Sequence, residues 1–210
     1  MRSIFRYGGV AASIVLIALG IGAIVAGIDG RSTVNDNLKQ EAIVGTPDMT
    51  PAGIAREAKA AGVTNVTLPT CSIANQPVTD GTSARCFAQY MRIHALEATG
   101  GLTYAQMPHY ATADGKGTND ATKALTRGGQ PVDNPARDVW VTETALSTAL
   151  NTSYFAQSVG LFAIVMGAAL LLTGIGFLLL TTGLLAATGD AIRVRRTAAP
   201  GHTPAHPAAS

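Results

Sequence analysis

Two long apolar segments interrupt a chain in which polar and apolar residues are otherwise mixed. The first runs from Gly8 to Ile28 and the second from Val159 to Ala187, and neither contains Asp, Glu, Lys, Arg or His. About 20 apolar residues in a helix cross the hydrocarbon core of a bilayer. Because backbone polar groups in lipid must be satisfied within the segment itself, both segments are predicted to be transmembrane helices.

The charges that flank these segments predict their direction. Arg2 and Arg6 precede the first segment, and Arg193, Arg195 and Arg196 follow the second. Short, positively charged ends stay in the cytoplasm, whereas long loops cross the membrane largely regardless of their charge. We therefore predict a transmembrane hairpin with both termini in the cytoplasm.

This topology divides the chain into five segments. A cytoplasmic N-terminus (1–7) leads to the first span (8–28), an extracytoplasmic domain (29–158), the second span (159–187) and a disordered cytoplasmic tail (188–210). The alternative for the first span is a cleaved signal peptide. Its apolar run is longer than the usual signal-peptide core of about 7–15 residues, and no clear A-x-A cleavage site follows it.

The only two cysteines, Cys71 and Cys86, lie in the predicted extracytoplasmic domain. Disulfides persist in that oxidising compartment, so we predict that the two form a structural crosslink. A metal site is the weaker alternative, because zinc sites use four ligands at short spacings. If the domain were cytoplasmic, two free thiols would be expected instead.

Periodic apolar positions predict that the domain between the spans is mostly helical. The first span is expected to extend outward, with a candidate break at Asp29–Gly30. A second helix is predicted in MTPAGIAREAKAAG, with Thr50 as its N-cap. A third is predicted in CFAQYMRIHALEATGG, where Phe87, Met91, His94 or Ala95, and Ala98 share one face. A fourth begins after Asn134 and can run unbroken into the second span.

Composition excludes some functions. Charged residues make up only 13% of the chain and the net charge is +2, without a basic stripe, so nucleic-acid binding is not expected. The pattern contains no cofactor-binding or catalytic motif, and we predict a protein that is not an enzyme and uses no cofactor. One low-specificity ligand site is conceivable: His94 and Glu97 share a helix face, with Tyr104 and His109 nearby in sequence. The structural interpretation is favoured, in which His94 is a partly buried histidine paired with Glu97 or a neighbour, because the spacing lacks the H-E-x-x-H pattern of a specific metal site.

Small residues at four-residue spacing in the spans indicate close helix packing. They are Ala18, Gly22 and Ala26 in the first span, and Ala163 and Gly167 in the second. Two interpretations follow. Either the two spans pack on each other, or these faces dock a partner's membrane helices or a second copy of the chain.

Four stretches resemble a family of small actinobacterial membrane proteins. They are IVGTPDMTP from Ile43, YMRIHALEATGG from Tyr90, NPARDVWVTETALSTALNTSYFAQ from Asn134 and LLLTGIGFLL from Leu170. The resemblance covers nearly the whole chain, includes the paired cysteines and implies two spans in the plasma membrane of a bacterium. Some similar proteins are labelled aromatic ring-opening dioxygenases, but this chain shows no His/His/Glu iron set. No catalytic residue is carried over.

Two functional hypotheses follow. The first is a non-enzymatic envelope protein, a scaffold or accessory subunit that contacts the lipid bilayer and either another membrane protein or itself. The alternative is a ligand-binding or sensory module, in which residues 108–134 cover a site near His94, Glu97 and Tyr104.

Overall fold

Helices account for most of the part of the chain that the computed structural model describes, which is residues 2–64 and 66–197, with side chains for 7–64 and 66–183. The four α-helices are α1 (Arg2–Gln40), α2 (Pro51–Ala60), α3 (Gly81–Ala98) and α4 (Pro135–Thr197). A 3-10 turn spans Ala121–Lys123, and two short strands, β1 (Thr126–Arg127) and β2 (Gln130–Pro131), pair antiparallel.

The prediction of a mostly helical protein with two long apolar helices and one disulfide is confirmed. Both α1 and α4 are long and apolar enough to cross a membrane. Only 17% and 11% of their most apolar stretches is buried within the chain. Large apolar side chains such as Phe162, Leu172 and Leu179 are therefore left exposed, unlike those of a core helix in a soluble domain.

Both long helices extend beyond their apolar segments. α1 continues without a break through Asp29 and Gly30 to Gln40. Asn134 begins α4, since its side-chain oxygen accepts a hydrogen bond from the Ala136 backbone N–H at 3.1 Å. At its other end α4 is helical through Thr197, so the prediction that disorder starts at residue 188 is wrong for 188–197. The rest of that predicted tail, 198–210, lies outside the described residues.

The chain divides into two compact units. The apolar unit comprises the residues up to Ala26 and those from Ala163 onward, and the central unit comprises Gly27–Phe162. The central unit begins two residues before the domain predicted at 29–158 and ends four residues after it.

In the apolar unit, α1 and α4 meet backbone to backbone. A methyl group added at Gly20 would lie 2.7 Å from the Gly167 carbonyl oxygen, and one added at Gly167 would lie 2.7 Å from the Gly20 carbonyl oxygen. A methyl group added at Gly174 would lie 3.0 Å from the Ser13 carbonyl oxygen. Because the contact positions rise along α1 as they fall along α4, the two segments pack antiparallel.

This contact uses a different face of α1 from the one predicted. Ala18, Gly22 and Ala26 are exposed, and Gly22 has open space where a side chain would begin. Of the two interpretations of these three residues, packing on α4 is not seen, because the α1 contact recurs every seven residues, at Ser13 and Gly20. On α4, Gly167 lies at the contact and Ala163 is half-buried.

The core of the central unit forms around α3. Tyr90, Ile93, Ile54 and Val78 are almost completely buried. The Thr50 hydroxyl accepts a hydrogen bond from the Gly53 N–H at 3.0 Å and caps α2, as predicted. The α3 helix begins earlier than expected, because Asp80 caps it through a hydrogen bond with the Ser83 N–H.

A disulfide joins Cys71 to Cys86, as predicted, with the two Cα atoms 6.1 Å apart. Cys86 lies in α3 and Cys71 in the loop that precedes it. One helical turn after Cys86, the Tyr90 hydroxyl donates a 2.6 Å hydrogen bond to the Cys71 carbonyl oxygen. The loop is therefore attached to α3 both covalently and through a buried tyrosine.

A small β-hairpin is formed by β1 and β2. Gly128 and Gly129 both have positive φ angles, of 60° and 80°, and connect β1 to β2. Two-residue hairpin turns of this kind require that conformation at both positions, which glycine adopts without steric cost.

Candidate functional site

The central unit contains a wide apolar groove between α1, α3 and α4. Its volume is about 1200 Å³, larger than most small-molecule pockets, which range over about 300–1000 Å³. Its apolar lining comes from the three helices and from the loop between α1 and α2. The residues are Val34 and Leu38 of α1, Ile43 and Met49 of that loop, Phe87, Met91, Ala95 and Ala98 of α3, and Val139, Leu146, Ala149 and Leu150 of α4.

The groove accounts for the apolar stripes read from the sequence. All of Phe87, Met91, His94, Ala95 and Ala98, the face predicted for α3, line it. Val139, Leu146 and Leu150 of α4 line it as well. Val139 is 41% exposed and Leu146 is 46% exposed, so much of this apolar surface is open rather than packed. The stripes thus mark a cavity as well as a core.

Acidic side chains surround the apolar surface. Glu41, Asp138 and Glu143 all line the groove, and among the described residues its lining includes no Lys or Arg. Glu143 is only 4% exposed and accepts a hydrogen bond from the Ser147 hydroxyl at 2.8 Å. Arg92 approaches its carboxylate to 3.5 Å from a position that is itself largely exposed. The groove therefore combines an apolar surface with three acidic side chains in its lining, of which Glu143 is buried beside Arg92.

Arg92 also stacks on an aromatic ring. Its guanidinium carbon lies 4.1 Å from the centre of the Trp140 ring, which is buried. A guanidinium at this distance over a tryptophan face is attracted by the ring quadrupole. Arg92 of α3 therefore contacts two residues of α4, Trp140 and Glu143.

His94 lies at the edge of the groove with two carboxylates. Its Nε2 atom is 2.9 Å from Asp48 Oδ2 and 3.5 Å from Glu57 Oε2. Asp48 comes from the loop before α2, Glu57 from α2 and His94 from α3, so tertiary folding brings the three together. A hydrogen bond from the Thr46 side chain, and to a smaller extent the nearby His94, lower the pKa of Asp48.

The four residues of the predicted ligand site do not form one cluster. Glu97 is exposed and lies outside the His94 group. The guanidinium carbon of Arg137 lies 3.8 Å from the centre of the Tyr104 ring. His109 is exposed and lies beside Tyr110. Of the four, only His94 lines the groove, and the groove lining includes no residue from 108–134 among those described. The proposed cover for the site is therefore wrong for this groove.

Sequence reasoning missed the acidic partners of the groove and of His94. Asp48 lies 46 residues before His94, and no local spacing links them. Glu143 could have been noticed, because it is the last charged residue before a gap that extends to Asp190. It shares a helix face with Leu146 and Leu150 at three- and four-residue spacing.

Comparison with known proteins provides no relative: no family model, curated protein or solved structure matches this chain. The function is therefore argued from the groove and its side chains.

Proposed function

We propose that this chain is a bacterial plasma-membrane protein whose central unit binds an amphiphilic ligand in the apolar groove. Both termini would lie in the cytoplasm and residues 29–158 outside it. The role is binding rather than catalysis. The observation that carries the proposal is an open apolar groove of about 1200 Å³ bordered by Glu41, Asp138 and Glu143.

The lining favours a ligand with a long apolar part. Burying apolar surface is favourable by about 25 cal/mol per Å², and exposed side chains such as Leu146 have most to gain. A surface lined by both aliphatic and methionine side chains can adapt to a flexible apolar partner. A lipid-like chain fits this surface better than a polar metabolite.

The acidic side chains of the lining favour a head group that is cationic or rich in hydrogen-bond donors. Carboxylates attract such groups and repel phosphates and carboxylates. Because the described lining offers no Lys or Arg, an anionic head group would find no charged partner there. We therefore propose an amphiphile that carries an amine or several hydroxyl groups.

Fluorescence titration of the full chain in nanodiscs tests this proposal. The probes are a dansyl-labelled long-chain alkylamine and the fatty acid of the same chain length. We expect saturable binding of the amine and at least tenfold weaker binding of the acid. Equal affinity for both probes would contradict the proposed head-group preference, and absence of saturable binding would contradict the binding function.

Two valines of α4 provide a matched pair of variants. Val139 lines the groove, whereas Val141 is 53% exposed on the same helix and does not line it. We expect Val139→Asn combined with Leu146→Asn to weaken amine binding at least tenfold, and Val141→Asn to leave it unchanged. An equal effect of both changes would place the ligand elsewhere.

The topology needs its own test. Lys116 is exposed in the central unit, and the native cysteines are joined to each other. In intact cells, a Lys116→Cys variant should therefore react with a membrane-impermeant maleimide. Labelling only after cell lysis would place residues 29–158 in the cytoplasm and overturn the proposed topology.

A scaffold or accessory role is the second candidate, favoured by a specific observation. The predicted small-residue face of Ala18, Gly22 and Ala26 is exposed and is not used in the contact with α4. Small residues on such a face let another membrane helix approach closely. In this hypothesis a second copy of the chain, or another membrane protein, packs there.

Crosslinking distinguishes the forms of this candidate. An Ala18→Cys or Gly22→Cys variant should form a disulfide-linked dimer if a second copy packs there, and Leu19→Cys serves as the neighbouring control. Dimers at all three positions would indicate random collision. A monomer that recovers no other membrane protein in mild detergent would contradict the scaffold role.

A further inference from the structure

We propose that Asp48, Glu57 and His94 bind a divalent transition-metal ion. This three-residue cluster lies at the edge of the groove, where only His94 of the three contributes to the lining, and binding of the ion does not require the proposed amphiphile. Its three ligand atoms, one imidazole nitrogen and two carboxylate oxygens, all lie within 4.8 Å of one another.

The two separations from His94 match those of atoms that share one ion. Zinc binds histidine nitrogen and carboxylate oxygen at about 2.0–2.2 Å, so ligand atoms around it lie about 3–3.5 Å apart. His94 Nε2 lies 2.9 Å from Asp48 Oδ2 and 3.5 Å from Glu57 Oε2. An ion could therefore lie between His94 and either carboxylate with little movement of those side chains, and all three ligand atoms lie within 4.8 Å of one another.

The local charge also calls for a cation. Asp48 and Glu57 face each other with only about a third of each side chain exposed. Within the described part of the chain, neither carboxylate has a Lys or Arg at ion-pair distance, in contrast to Glu143 with Arg92. A neutral imidazole leaves the cluster with two negative charges, which a divalent ion balances.

The geometry around the cluster suits an ion that keeps open coordination positions. His94 also lines the groove, so the ion would border a cavity. Three protein ligands with space beside them are typical of sites that take water or a ligand group as a further ligand.

The donor set predicts the kind of ion. Imidazole with two carboxylates suits Zn²⁺, Mn²⁺ or Fe²⁺, whereas Ca²⁺ prefers six to eight oxygen ligands. We therefore expect Zn²⁺ to bind in preference to Ca²⁺.

Isothermal titration of the full chain in detergent, after treatment with a chelator, provides the test. Because His202 and His206 of the C-terminal segment could bind zinc themselves, the parent for this experiment carries His202→Ala and His206→Ala. We expect one Zn²⁺ per chain and no saturable binding of Ca²⁺. Absence of saturable Zn²⁺ binding to this parent would overturn the proposal.

Three substitutions separate the cluster from its surroundings. Glu57→Gln keeps the shape of the side chain and should weaken Zn²⁺ binding at least tenfold, as should His94→Ala. Glu97→Gln removes an exposed carboxylate one turn from His94 and should leave affinity unchanged. Unchanged affinity in Glu57→Gln and His94→Ala, or equal loss in Glu97→Gln, would overturn the assignment.

Cobalt offers a readout that is independent of stability. Co²⁺ bound in this site should give visible absorption bands that disappear in the His94→Ala variant and persist in Glu97→Gln. Bands that persist in His94→Ala would show that histidine nitrogen at this position is not a ligand, and would overturn the proposal even if that variant were less stable.

Discussion

The interactions that stabilise the apolar unit differ from those that stabilise the central unit. In the apolar unit, the described contacts between α1 and α4 include close backbone approaches, at Gly20 with Gly167 and at Ser13 with Gly174. The central unit has a disulfide, capped helices, a buried apolar core and polar contacts between helices.

The difference follows from what each surface can gain by packing. Apolar side chains on the outside of α1 and α4 gain little by leaving lipid for each other, so close approach and van der Waals contact favour association. A water-exposed unit gains from apolar burial, and its polar groups need partners once they are buried. The contrast therefore fits the two environments that we propose.

The largest effect should come from removing the crosslink of the central unit. A Cys71→Ser/Cys86→Ser variant should unfold at lower denaturant concentration, with a loss of about 3 kcal/mol, because the open chain has more conformational freedom when unfolded. Chemical unfolding of the full chain in detergent, followed by Trp140 fluorescence, measures this. A change below about 0.5 kcal/mol would show that the disulfide adds little to stability.

A glycine pair on α1 tests the packing of the apolar unit. Gly20→Leu should separate the helices and cost about 1–3 kcal/mol, because a side chain there meets the α4 backbone. Gly22→Leu, which meets open space, should change stability by less than about 0.5 kcal/mol. Unfolding in mixed SDS micelles compares the two. A larger effect at Gly22 would support the second candidate, in which that face packs against a partner.

A buried amide tests the polar contacts of the central unit. Gln157 on α4 accepts a 2.9 Å hydrogen bond from the Gly81 N–H, and its side chain also donates to Asn35. Gln157→Leu should cost about 1–3 kcal/mol, because it leaves a buried backbone donor without its partner. The control is Asn151→Leu, which removes only a hydrogen bond to its own helix. Equal stability of both variants would show that this network adds nothing to the central unit.

The smallest effect concerns pH. The pKa of Asp48 is lowered in the folded state from its ordinary value of 3.8, chiefly by the Thr46 hydrogen bond. Its contribution is therefore present above that value and is lost as the pH falls through the lowered pKa. In the presence of a chelator, we expect the free energy of unfolding to fall less in Asp48→Asn than in the parent as the pH is lowered from about 5 to about 1. The difference between the two proteins should be below about 1 kcal/mol. An unchanged pH profile would contradict this assignment.

Part of the fold could be predicted because its signals are local. The apolar lengths of α1 and α4 and the Thr50 cap are properties of short sequence stretches. The candidate site was harder, because the groove gathers side chains from three helices. Its α3 face was correctly read as apolar, but the pattern could not show whether that face was covered.

The sequence by itself determined the two apolar helices, the helical character of the region between them and the presence of two cysteines suitable for a crosslink. These follow from hydrophobic periodicity and residue type. Only the tertiary structure decided which face of α1 meets α4, and that Asp48 and Glu57 meet His94. Those contacts depend on how segments far apart in the sequence approach each other. On α1, small residues recur both every seven residues and every four residues, and the sequence of α1 alone does not show which of the two faces packs against α4.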